Sequence, residues 1–148
     1  MATEKTIYDV LEQEHRQVSG LLERLEKSDD EAERERLFQE LASELVAHAE
    51  AEQRTLYASL KEHDETREQT LEAEQEHHVV RTLLSEMERL AGDGETFGAK
   101  LKVLKENVEH HVEEEEEELF AEAQDVLSHE DACELARQFQ AEKSARMR

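Results

Sequence analysis

The sequence predicts an all-α fold: an up-down-up-down four-helix bundle with a short fifth helix at its C-terminal end. Three observations carry that expectation. The 148 residues include no proline and four glycines, and stretches rich in Ala, Glu, Leu, Gln and Arg favour helix almost throughout. Apolar residues fall on stripes with helical spacing. The first half of the chain is also echoed by the second at an offset of 62 to 63 residues, which sets the helices in two pairs. A chain of this length supports one hydrophobic core, so residues 1–148 are expected to form a single domain.

A first helix is expected from about Thr3 to Lys27. Ser28, Asp29 and Asp30 form a loop and cap cluster before a second, long helix to about Glu62. Asp64 is placed to cap a third helix that ends near Gly92, and Gly92-Asp93-Gly94 is the clearest loop of the chain. A fourth helix follows from roughly Thr96 to Leu127. Ser128 with Asp131 three residues on resembles a capping box, opening a short fifth helix that frays from Lys143 to Arg148.

The repeat is specific in its residues. Glu14-His15 followed by Val18, Leu21, Leu22 and Leu25 matches Glu76-His77 followed by Val80, Leu83, Leu84 and Met87. Phe38, Leu41, Leu45, His48, Glu52, Leu56 and Tyr57 match Leu101, Leu104, Val108, His111, Glu115, Leu119 and Phe120. The first helix therefore corresponds to the third and the second to the fourth. Such pairs bury their apolar stripes against each other around a pseudo-twofold axis.

Charge limits the partners. Forty acidic residues against eighteen basic ones give a formal net charge of -22, which repels nucleic acid and anionic membranes. No nucleic-acid or membrane partner is expected, and no apolar run approaches a spanning length. The lone Cys133 has no partner for an internal disulfide, and the opening Met-Ala-Thr-Glu-Lys lacks the apolar core of a signal peptide. A cytoplasmic monomer or weak homodimer is the expectation.

Two copies of His-x-x-x-Glu, His48-Ala-Glu-Ala-Glu52 and His111-Val-Glu-Glu-Glu115, carry the chemistry. Residues four apart on a helix stack one turn above each other, so each pair presents an imidazole and a carboxylate together. At about 100° per residue, His111 and Glu115 share the stripe of Leu101, Leu104, Val108 and Leu119, while His110 and Glu114 project to the opposite side. His15 falls with Leu11, Val18 and Leu22, and His77 with Ala73, Val80 and Leu84; His78 falls off that stripe. His63, near a helix end, and His129, in the first turn of the last helix, are expected in solvent.

A lone histidine on an apolar stripe is usually a hydrogen-bonded core residue, and most of the run Glu113 to Glu118 is expected to be a solvated face. Here four helices each bury one histidine at equivalent repeat positions, and two of them add a buried glutamate. Without an ion, such a group would cost several kcal/mol per residue in desolvation. His15, His48, Glu52, His77, His111 and Glu115 are therefore the candidate ligands of a pair of metal ions. Imidazole with carboxylate suits iron, manganese or zinc.

These motifs resemble the hemerythrin family, and within it bacterial proteins of the HHE cation-binding type. The resemblance covers nearly the whole chain and implies a non-haem di-iron centre, bridged by two carboxylates and an oxo or hydroxo oxygen, inside a four-helix bundle. It gives Glu52 and Glu115 the bridging role, His15 and His48 to one iron, and His77 and His111 to the other, with zinc or manganese as possible substitutes. Ferritin-like di-iron bundles instead place a carboxylate on every helix. One departure concerns the iron of His77 and His111. Oxygen carriers of the family have a further histidine one turn before the His77 position, where this chain has Ala73, and their second carboxylate follows its histidine by five residues rather than four. That iron is expected to lack one protein ligand, leaving Glu74 or water to fill the place and Tyr8, Leu11, Thr70 and Ala73 to line it. The implied function is binding of O2, NO or peroxide; the alternatives are an enzyme that turns over peroxide or NO, and a non-catalytic iron buffer or sensor.

Overall fold

Thr6 and Asp9 set the start of the first helix: each side chain bonds the other's backbone N–H in a reciprocal cap. The computed structural model describes residues 4–90 and 94–147, and every regular element among them is helical. Helix α1 spans Ile7–Lys27. Helix α2 opens on Asp30, whose carboxylate accepts the Glu33 N–H. It runs as Glu31–Glu52, continues through a π-helical turn at Gln53–Tyr57 and closes at Ala58–Leu60. Helix α3 is Asp64–Glu88. Helix α4 comprises Gly94–Glu114, a second π-helical turn at Glu115–Leu119 and Phe120–Val126. Helix α5 is His129–Arg146.

Several boundaries differ from the sequence reading. The first helix begins at Ile7 rather than near Thr3, because the Thr6 cap fixes its origin. His63 occupies the cap position of α3, and Asp64 is already helical, paired with Arg67. Gly92 and Asp93 of the expected loop lie outside the described residues; Gly94, at φ 85°, is in the left-handed region that glycine tolerates. The end of α5 does not fray at Lys143. Lys143 pairs with Glu14 and Glu44, and Arg146 with Glu50 and Glu142, so the last turns are tied to α1 and α2.

The core divides into two apolar clusters. One contains Ile7, Leu11, Leu56, Leu119, Phe120 and Phe139; the other contains Leu22, Phe38, Leu41, Met87, Phe97 and Leu104. Helices α1 and α3 run from the first cluster to the second, and α2 and α4 return. Helix α1 packs on α2, α3 on α4, and α5 on both α1 and α2. On each of the four crossing helices the buried histidine falls between the residues of the two clusters, so a polar layer is enclosed by apolar ones on both sides. Each fully buried Leu or Phe of those clusters contributes about 1.5–3 kcal/mol, which offsets the cost of the polar layer. Among the described residues no helix is long and apolar enough to cross a membrane.

Candidate metal centre

His15, His48, Glu52, His77, His111 and Glu115 are all buried, at no more than 8% exposure, and they meet in that one layer. His15 Nε2 lies 3.2 Å from Glu115 Oε1 and His77 Nε2 3.1 Å from Glu52 Oε1. His48 and His111 Nε2 each lie 3.5 Å from the carboxylate one turn on, Glu52 and Glu115 respectively. Each carboxylate therefore stands between one histidine from each half of the repeat. Atoms of His15, His48, Glu52 and Glu115 form one group of metal-ligating spacing, and those of Glu52, His77 and His111 a second that shares Glu52.

The other ring nitrogens explain this orientation. His15 Nδ1 is 2.6 Å from Glu116, His48 Nδ1 2.8 Å from Glu14, His77 Nδ1 3.0 Å from Gln53 Oε1 and His111 Nδ1 2.6 Å from Glu76. A carboxylate or an amide oxygen only accepts, so each Nδ1 carries the hydrogen and each Nε2 points its lone pair inward. This is the arrangement by which proteins fix the tautomer of a metal-binding imidazole. The supports obey the repeat: Glu14 corresponds to Glu76, and Gln53 to Glu116.

Inside the layer the polar atoms lack partners. Both oxygens of Glu52, Oε1 of Glu115 and Nε2 of His15 are buried without a hydrogen bond. Lone pairs of nitrogen and oxygen facing each other need either a proton or a cation between them. In the metal-free chain protons serve. Burial alone would depress the His48 imidazolium, but Glu52 and Glu14 outweigh it and hold its pKa at about 10. Burial likewise opposes His111 and His15, and carboxylates led by Glu115 push both upward. Burial would raise the Glu115 carboxyl, yet the imidazoles of His111 and His15 that face it hold it well below its ordinary value. The donor set thus fits two cations of borderline character, which would replace those protons.

The π-helical turns place a further group here. In a π turn residue i+5 returns to the face of residue i, so Tyr57 lies over Glu52, where an ordinary helix would carry it off the stripe. Its ring stacks on His77 at 5.2 Å; its hydroxyl donates to Glu115 Oε2 and lies 3.4 Å from His111 Nε2. Burial, with Glu115 and Glu52, pushes the phenol well above its usual pKa. Phe120, the repeat counterpart, has no hydroxyl, and the Tyr8 ring packs on it at 5.1 Å. The place opened by Ala73 is not closed by Glu74, which binds Lys61 at 2.9 Å; the Tyr57 hydroxyl stands on that side. Leu11, Thr70 and Ala73 are buried as expected, and Tyr8 lies against Phe120. On the histidine side, a cavity of about 40 Å³ is walled by Val18, Leu45, Val80, Leu84 and Val108.

The sequence profile of the hemerythrin HHE cation-binding domain matches residues 6–123, which contain all six of these residues. The chain belongs to the hemerythrin HHE cation-binding domain family. A protein named DNA nickase from Nostoc sp. (strain PCC 7120) is 32% identical over 139 residues, which is 93% of this chain and 39% of the relative. The chain thus spans about two fifths of the relative it matches. No solved structure matches it.

Within this hemerythrin-like domain the sequence reading placed the histidines and glutamates in one layer but missed Tyr57 and the four Nδ1 supports. Tyr57 was visible only as the apolar counterpart of Phe120. Glu14 and Glu76 were visible as the recurring Glu-His pair, a signal that the residue beside each histidine also matters. Helix α5 lies outside the matched segment, yet Phe139 packs edge-on to His48 at 5.6 Å and Lys143 holds Glu14 at 2.6 Å.

Proposed function

We propose that this chain is a non-haem di-iron protein that binds O2, NO or peroxide in the core of an up-down-up-down four-helix bundle, within the cytoplasm. His15 and His48 would hold one iron, His77 and His111 the other, and Glu52 and Glu115 would bridge them. The observation that carries this reading is the set of four Nε2 lone pairs, each fixed through Nδ1, facing two buried carboxylates with unpartnered oxygens. When bound, two ferrous ions would supply two electrons to a small ligand. The chain's own residues supply the rest. Val18, Leu45, Val80, Leu84 and Val108 keep water from the histidine face. Tyr57 holds a proton at its hydroxyl beside Glu115 and His111, within reach of a ligand bound on the Ala73 side.

Tyr57 also favours a second reading, turnover of peroxide or NO, because reduction of either consumes protons and a buried phenol beside the site is a donor. Exposing the reduced, iron-loaded chain to a tenfold excess of each ligand, with ascorbate as electron donor and a protein-free control, separates the two. A stable one-to-one adduct supports binding, many equivalents consumed per chain support turnover, and neither result would refute both. A net charge of -22 opposes approach to a phosphate backbone, and most of the DNA nickase relative lies outside the match.

A further inference from the structure

The two halves of the layer differ at one support. Glu116, the residue after Glu115, lies 2.6 Å from His15 Nδ1, whereas Gln53, the residue after Glu52, lies 3.0 Å from His77 Nδ1. The other two supports are alike: Glu14 lies 2.8 Å from His48 Nδ1 and Glu76 2.6 Å from His111 Nδ1. His77 is thus the only one of the four histidines without a carboxylate behind it, and its contact is the longest.

A carboxylate draws on the Nδ1 hydrogen about twice as strongly as a neutral oxygen does, so Nε2 of a carboxylate-backed imidazole is the better donor to a cation. A carboxylate also offers acceptors alone, which locks the hydrogen on Nδ1. An amide offers both kinds of group. Turned about its last bond, Gln53 presents an N–H to a bare Nδ1 and accommodates the other tautomer, so His77 is the weakest and least fixed donor of the layer. Lys143 draws on Glu14 and tempers its pull on His48; the contrast that counts is His15 against His77, which the repeat makes equivalent. The donor sets lean the same way. Four residues, His15, His48, Glu52 and Glu115, bring ligand atoms together on one side, and three, Glu52, His77 and His111, on the other.

We propose that Gln53 ranks the two cation positions: the one at His15 and His48 fills first, and the one at His77 and His111 fills second and empties first. The ranking rests on the reading of the core as a two-cation centre. Gln53 is a positioning residue that acts through His77. It makes the cation on the Ala73 side the exchangeable one and leaves the other in place.

Stepwise binding of Co2+ to the metal-free full chain, against a competing chelator and read by the visible absorption of the bound ion, tests the ranking. Gln53→Glu should tighten the second step about five- to tenfold and leave the first within about twofold, because the new carboxylate backs only His77. A merely structural part for Gln53 predicts no gain from any substitution. Glu116→Gln, at a side chain 31% exposed, should do the reverse, weakening the first step by about the same factor and sparing the second. If Gln53→Glu does not fold, Glu116→Gln decides alone. A gain in Gln53→Glu confined to the first step, no gain at either step, or a loss in Glu116→Gln confined to the second step would each overturn the ranking while leaving the core reading in place. A wild-type chain that takes up no Co2+, or saturates at one ion, would overturn both.

Discussion

Glu14 supports His48 from outside the ligand set, so its removal tests how far the centre depends on its supports. Glu14 accepts from His48 Nδ1 at 2.8 Å and from Lys143 at 2.6 Å, with 15% of its side chain exposed. Glu14→Ala leaves the Nδ1 hydrogen without its acceptor, frees the ring to turn and weakens the imidazole as a base. Losing such a support typically lowers metal affinity about 10- to 100-fold, or roughly 1.4–2.7 kcal/mol at about 1.4 kcal/mol per tenfold. For a chain of this size about 1 kcal/mol moves the melting temperature by roughly 2–4 °C, so the metal-dependent rise should shrink by about 3–11 °C. Competition against a chelator of known affinity measures the first quantity and calorimetry of loaded and metal-free protein the second. Glu12→Ala, on the same helix and without a bond to any histidine, is the control. An affinity within twofold of wild type in Glu14→Ala would refute the idea that the Nδ1 contacts hold the ligands in place.

Tyr57→Phe keeps the ring on His77 and removes only the hydroxyl; metal content should stay near wild type while peroxide consumption per iron falls at least tenfold, with equal consumption contradicting the donor role. The metal-free chain should lose stability as the solution becomes alkaline. His48 is raised from 6.5 to about 10, so its contribution is complete below about pH 6.5 and is lost as the pH climbs through about 10. Glu115, held well below 4.5, contributes above that value and loses its effect on acidification. Denaturant midpoints of the metal-free chain should therefore fall between about pH 6 and pH 9.5, while cation affinity rises over the same span because Nε2 must shed its proton. A flat profile would show that the layer is not protonated as described. Lys143→Met should weaken cation binding by a few-fold, less than Glu14→Ala, because it reaches His48 only through Glu14; no change, read by the same competition, would detach α5 from the centre.

Much of this was legible in the sequence because burial and helical period are coupled. His15, His48, His77 and His111 each sit on an apolar stripe, and only one residue of each His-His pair does, so the wheel alone separates His111 from His110 and His77 from His78. The π turns were not legible. An added residue in a turn leaves no mark in apolar spacing when both Leu56 and Tyr57 are apolar enough to be core, and so the position of the Tyr57 hydroxyl was hidden. The supports at Nδ1 were hidden for another reason: Glu14 and Gln53 reach across to another helix, and sequence spacing reports neighbours only along one. The reach of α5 was missed because Lys143 and Arg146 read as a charged, fraying end, whereas their partners Glu14, Glu44 and Glu50 lie 96 to 129 residues earlier.

The most direct test is an anaerobic titration of the metal-free chain with ferrous iron, followed by absorption and by iron analysis after removal of unbound metal. Six inward ligands with two shared carboxylates predict saturation at two irons per chain in wild type, and sharply lower content in His48→Ala and His111→Ala but not in His78→Ala. Saturation at one iron, or retention of both irons by His111→Ala, would contradict the account.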